Sequence, residues 1–370
     1  MNETDQALAE AKSFVLLHAK FLGIDDIEAL LARITSLDGT ETGSWLGVFT
    51  ELAADSAAPV RRRADLYGLA RFPCADTAPK QAAAAEAARL VATDLVDRGA
   101  GSREVARTPH GEVPFLFRSA GPGTPLAIVI GGIVSLKEQW AAYLDLAPRV
   151  GCSIALVDFP GVGENPMRYD RAATALFPAL IGAVGTVCDS TRTVLIAPSF
   201  GGHLALAAAT VDHRITRIVT VDAPLRAFFI RADPRAQLPV ITAHALARCC
   251  GVTSGELAQC LPALALTESE VAEIGCPVDF VVSTRDELAA APDWRWAQAL
   301  APRLSCYPID DIHGAPHHLR RIRFLVAAAL LTQSGHRRGA RLARLGSGLR
   351  PAPAIQDRPR SGRPSARVRR

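Results

Sequence analysis

The sequence has no CxxC pair, no glycine-rich loop ending in G-K-S/T, and no apolar run near the roughly 20 residues that cross a bilayer. These absences argue in turn against a structural zinc or dithiol site, a phosphate cradle and a membrane-spanning helix. The opening stretch MNETDQALAEAKSF carries acids where a signal peptide carries bases, so a cytoplasmic protein is expected. Eight cysteines are scattered, and the vicinal pair Cys249-Cys250 cannot easily close a disulfide, so they read as buried thiols. Nothing in the residues calls for a cofactor or a metal.

Apolar material is abundant. Of the 370 residues 49% are hydrophobic and 21% charged, enough for one large α/β domain with additions or for two domains. The formal net charge of +4 hides an asymmetry: from Ser334 onward eleven arginines face the single acid Asp357, which gives that segment +10 and the remainder −6. Pro, Gly and Ser are interspersed there and apolar periodicity is lost, so residues 334–370 are expected to form a disordered tail. It has no aromatic residue on which a base could stack, and no specific nucleic-acid role is expected.

Across residues 1–100 apolar residues recur at three- and four-residue spacings, which predicts a helical module. From Ser102 the pattern becomes an alternation, SREVARTPHGEVPFLFRSAG, that reads as two strands about a turn at His110-Gly111. Six apolar runs follow, PLAIVIGG, CSIALVDF, RTVLIAPS, ITRIVTVDAP, PVDFVVSTRD and LSCYPIDDIH, separated by helical stretches. Strands alternating with helices predict a mostly parallel sheet over 101–333, with a helical insertion at about 225–275. Ligands of such sheets sit at the carboxyl ends of the strands.

One of those ends, APSFGG, is a variant of the G-x-S-x-G nucleophile elbow, with Ala197 two before Ser199 and Gly201 two after it. The alternative is an ordinary strand-to-helix turn capped by Ser199. A serine hydroxyl needs a base, and the base needs an oriented acid. Asp286 and His313 follow later strands in the required order, Ser, acid, His. Asp222 and Glu287 compete for the acid, and His317 and His318 compete for the base. Asp310 and Asp311 read as loop residues, and His203 as a packed histidine. The expected oxyanion donors are the backbone N–H groups of Phe200 and Ile133, the second beside Gly131-Gly132.

Three stretches resemble one branch of the α/β-hydrolase fold: GGIVSLKEQW its G-G-x-D-S-x-K-E segment, DFPGVGENP its D-x-P-G-x-G-E turn, and RRRADLYGLARFPCADTAPKQAA its pre-core helices. That branch contains 2,6-dihydroxypseudooxynicotine hydrolase, the fungal pigment heptaketide hydrolases and the esterase-like fermentation-respiration switch proteins. Here Val134 replaces the usual Asp, Ala197 the first elbow glycine, and HGAPHHLRR differs in length from the H-x-x-H pattern. The resemblance implies a Ser199-Asp286-His313 triad beneath a helical cap built from residues 1–100 and the insertion. It implies a small-molecule carbonyl substrate, an ester or a carbon-carbon bond beside a ketone, as in secondary metabolism or polyketide catabolism. An acyltransferase or cyclase using the same triad, and a non-catalytic binding protein, are the alternatives. Lys137 and Glu138 are secondary candidates for the site, while Asp158 and Glu164 read as structural. Family caps often pack between subunits, so a homodimer is allowed.

Overall fold

The computed structural model describes residues 2–22, 24, 26–231, 238–288 and 291–353. The N-terminal region is helical as its periodicity predicts, with α1 (Glu3–Leu22), α2 (Ile27–Ala32), α3 (Trp45–Ala53), α4 (Val60–Ala70) and α5 (Ala78–Asp97). Ser44 starts α3 by accepting from the Gly47 N–H at 3.0 Å. Trp45, Phe49, Leu66, Leu69 and Phe72 close a separate apolar core, and Trp45 Nε1 donates to the Leu69 carbonyl at 2.8 Å, so the indole is buried without an orphaned donor.

A hairpin, β1 (Ser102–Thr108) and β2 (Gly111–Arg118), leads into β3 (Pro125–Ile130), β4 (Ser153–Val157), β5 (Asp189–Ile196), β6 (Ile215–Val221), β7 (Val278–Ser283) and β8 (Leu304–Ile309). They form one sheet in the order β1-β2-β4-β3-β5-β6-β7-β8. β2 pairs antiparallel with β1 and β4, and the pairs from β4 across to β8 are all parallel. The core strands are mostly apolar because both faces are covered, with β3 and β4 buried along their whole length. In β3, Leu126, Ile128 and Ile130 enter one core while Ala127 and Val129 enter the other, all fully buried.

One face is covered by α6 (Ala147–Val150) and α13 (Leu319–Gln333), the other by α7 (Leu176–Val184), α8 (Phe200–Ala209) and α12 (Ala291–Leu300). Between β6 and β7 the expected insertion supplies α9 (Val240–Cys250), α10 (Leu257–Cys260) and α11 (Glu268–Ala272). Ile241 of α9 joins the N-terminal core, and its N–H donates to Glu10 Oε2 of α1 at 3.2 Å, so insertion and N-terminal helices make one roof.

The expectation of disorder from Ser334 is corrected by α14 (Arg337–Ser347), which turns its Ala340 and Ala343 face inward. Arg344 meets buried Asp279 at 2.7 Å, and Arg321 Nε donates to the Ser347 carbonyl at 2.9 Å. The buried carboxylate anchors a segment whose charge pattern alone reads as solvated. Residues 354–370 of the expected tail lie outside the described residues. Among the described residues no helix is long and apolar enough to cross a membrane.

Candidate active site

β3 and β5 lie side by side where the chain order reverses, so their following loops open on the same crevice. Ser199 ends the β5 loop with φ 55° and ψ −133°, a conformation few non-glycine residues adopt. Its N–H is fixed to the Val221 carbonyl at 2.7 Å. The turn is tight because α8 starts at once against β3: a Cβ on Gly201 would stand 2.5 Å from the Gly131 carbonyl oxygen. The elbow's small residues thus have a steric reason.

Ser199 Oγ lies 2.8 Å from His313 Nε2, and His313 Nδ1 lies 3.0 and 2.9 Å from the two oxygens of Asp286. A carboxylate only accepts, so Nδ1 carries the hydrogen and Nε2 of the neutral ring faces the serine as an acceptor. Burial alone would lower the His313 pKa, but Asp286, by charge and hydrogen bond, with Asp222 and Glu287 behind it, raises it to about 9.

The rival candidates separate cleanly. His317 and His318 each turn Nδ1 to Asp311, at 2.8 and 2.9 Å, and Asp311 also accepts the His317 N–H, so these side chains close the loop after β8. Among the described residues Glu287 hydrogen-bonds only through its carbonyl, which accepts from Arg231 at 3.2 Å, and Asp310 pairs with Arg285 in solvent. Asp222 sits behind the Asp286–His313 pair with a φ of 52°, accepting from Ser283 N (2.6 Å), Ser283 Oγ (2.8 Å) and Gly314 N (2.8 Å). Burial first, and the Asp286 charge second, push its carboxyl up to about 7. It ties the ends of β6 and β7 to the histidine turn. His203 is packed as expected, between the Tyr169 hydroxyl (2.7 Å) and the Leu264 carbonyl (2.9 Å), and burial lowers it to about 4.

The β3 loop passes directly over the serine, where a Cβ on Gly132 would stand 3.2 Å from Ser199 Oγ and 3.9 Å from the Phe200 nitrogen. Ile133 and Phe200 line the same cavity as Ser199 and His313, and neither amide N–H finds an acceptor among the described residues. The cavity holds about 200 Å³. Its roof comes from α1 (Phe14, Val15, His18), Leu69 of α4 with Phe72 just beyond it, and α9 (Ile241, Thr242).

Comparison with known proteins places the fold in a family. The structure of wild-type AbyA5 shares 32% identity with a TM-score of 0.85, over 90% of this chain and 98% of that one. The chain belongs to the α/β-hydrolase family. The crystal structure of 2,6-dihydroxy-pseudo-oxynicotine hydrolase matches with 19% identity and a TM-score of 0.72, over 86% of this chain and 95% of that one, a likeness of fold in the branch that the motifs resemble. No protein-family model and no curated protein sequence matches.

In this α/β-hydrolase, Lys137 and Glu138 stand away from the serine cavity, in the wall of a second cavity of about 220 Å³ that also meets Arg71, Cys74 and Cys249. The Lys137 ammonium is buried among Glu138 (2.7 Å), Asp158 (2.9 Å) and Glu164 (2.7 Å). Burial alone would lower its pKa, but the three carboxylates outweigh that and raise it. The Lys137 N–H also donates to Asp158 Oδ1 at 2.7 Å, so the cluster staples the start of the helix after the β3 loop to the β4 turn. Sequence reasoning passed over Arg71. Its guanidinium is almost wholly buried and donates to the carbonyls of Pro73 and Val134, holding the β3 loop from the roof side. It stands in the pre-core helical stretch, but only the fold aims it at Val134. The cysteines are thiols as expected: all eight are free, and six of them are buried.

Proposed function

We propose that this α/β-hydrolase is a serine hydrolase acting on a carbonyl compound, an ester or a carbon-carbon bond beside a ketone, with Ser199 as nucleophile, His313 as base and Asp286 as orienting acid. The observation that carries the reading is the unbroken chain of contacts from Ser199 Oγ through His313 to Asp286, at 2.8 and 2.9 Å, on a strained elbow beneath a roofed cavity. His313 Nε2 takes the Ser199 proton as Oγ attacks the carbonyl carbon. The N–H groups of Phe200 and Ile133 hold the oxyanion, each such donor being worth roughly 3 kcal/mol in the transition state. The leaving group departs with the proton from His313, whether as an alcohol or as a stabilised carbanion that becomes C–H. Water, deprotonated by His313, then releases the acyl group from Ser199.

The test is labelling with a fluorophosphonate probe together with turnover of p-nitrophenyl acetate. Wild type should label and turn over; Ser199→Ala and His313→Ala should do neither, while His317→Asn should still label. A folded wild type that does neither, or labelling that survives in Ser199→Ala, overturns the proposal.

A further inference from the structure

The roof carries one titratable side chain that the chemistry above leaves unused. His18, on α1, lines the cavity that holds Ser199 and His313. Its Nδ1 lies 2.8 Å from the Phe14 carbonyl, which can only accept, so Nδ1 carries the hydrogen and Nε2 keeps its lone pair. The ring is locked from a second side, stacked on Phe14 with centroids 4.2 Å apart, and Phe14 in turn is stacked on Phe72 at 5.0 Å. Among the described residues Nε2 has no hydrogen-bond partner.

Its position is informative. A Cβ on Gly314 would stand 3.6 Å from His18 Nε2, so this lone pair overlooks the turn that carries His313. Burial, and the charge of His313, hold His18 below the ordinary histidine range, which keeps the ring neutral and accepting when His313 is charged. Much of the remaining wall is apolar, with Leu69, Ile133, Val134, Ile196, Val219 and Val221. Once a ligand covers it, a fixed acceptor in such a wall is costly to leave without a donor, so a ligand that supplies one is favoured over a ligand that cannot.

We propose that His18 is a specificity-determining residue whose Nε2 accepts a hydrogen bond from an O–H within a few bonds of the carbonyl that Ser199 attacks, so that hydroxy- or enol-bearing carbonyl compounds are preferred. This rests on the serine-hydrolase reading. Because His18 stands beside the histidine turn, the recognised hydroxyl is one near the reacting carbon, not one at the far end of the substrate.

The experiment compares p-nitrophenyl butanoate with p-nitrophenyl 3-hydroxybutanoate, with kcat/KM measured for wild type, His18→Phe and His18→Gln. The wild type should favour the hydroxy ester by about 10-fold. His18→Phe keeps an aromatic ring to stack on Phe14 but has no acceptor, and its ratio should fall to about 1. His18→Gln places a carbonyl oxygen near the lost Nε2, and its ratio should recover several-fold, which a purely structural role would not produce. A wild type that hydrolyses both esters without preference, or a preference that survives in His18→Phe, overturns the assignment alone. A wild type that hydrolyses neither ester overturns the Ser199 reading and the assignment with it.

Discussion

Replacing Lys137 with Met removes one charge and strands others. Its side chain is 1% exposed, and those of Glu138 and Asp158 are 4% and 0% exposed, so none of the three can turn to water without moving the loops. Glu164 keeps a partner in Arg103 at 2.7 Å; Asp158 keeps the backbone N–H groups of residues 137 and 164. Glu138, next to Asp158, is left with the worst surroundings. Breaking a buried pair from one side costs about 3–5 kcal/mol, and Met fills most of the lysine stem, so about 4 kcal/mol is expected from lost charge compensation with little from packing. Equilibrium urea unfolding of wild type and variant at pH 8 measures it. The cost should shrink at pH 5. Burial already raises the Glu138 carboxyl in the wild type, and without the ammonium it rises further. A carboxyl whose folded pKa lies above its unfolded one burdens the fold while ionised, and the burden falls away as pH drops and the proton is taken up. A loss under about 1 kcal/mol at both pH values would refute the view that the ammonium holds this cluster together.

Two further perturbations test the site itself. With its pKa raised to about 9, His313, the proposed base, is protonated at neutral pH, so kcat/KM for p-nitrophenyl acetate should climb with pH and level off only above about pH 9; a plateau from pH 7 would contradict it. The same shift stabilises the fold below the unfolded histidine range, near pH 6.5, and that contribution is lost as pH rises through about 9. Gly202→Ala, which in an ordinary helix would stabilise by nearly 1 kcal/mol, should instead cost about 2–3 kcal/mol. The added Cβ would overlap Thr220 Oγ1 and stand 2.7 Å from the Ala197 carbonyl oxygen, and thermal melting reads the difference.

Much of the architecture was legible because it depends on local chemistry. A strand covered on both faces must be apolar throughout, so all six core strands announce themselves as runs, and the hairpin declares itself by alternation about His110-Gly111. The elbow was legible because α8 starts so close to β3 that only small residues fit beside Ser199. Chain order favoured Asp286 and His313 but left Asp222 and Glu287 open as the acid. It could not separate His313 from His317 and His318, since all three follow β8 within a single short loop; Asp311, which takes the latter two, is what divides them in space.

What sequence alone determined, then, is which segments are strands, where the helices before α14 fall, and which residue types stand at the strand ends. Tertiary structure decided which distant polar groups meet. Arg71 reaches Val134 across 63 positions, Asp222 reaches Gly314 across 92, and Arg344 reaches Asp279 across 65. The histidine on α1 faces the turn that carries His313 for the same reason. Backbone propensity and apolar period act over a few residues, whereas a buried polar group is satisfied by whatever partner the folded chain brings within about 3 Å. That partner is chosen by packing, and no local pattern records it.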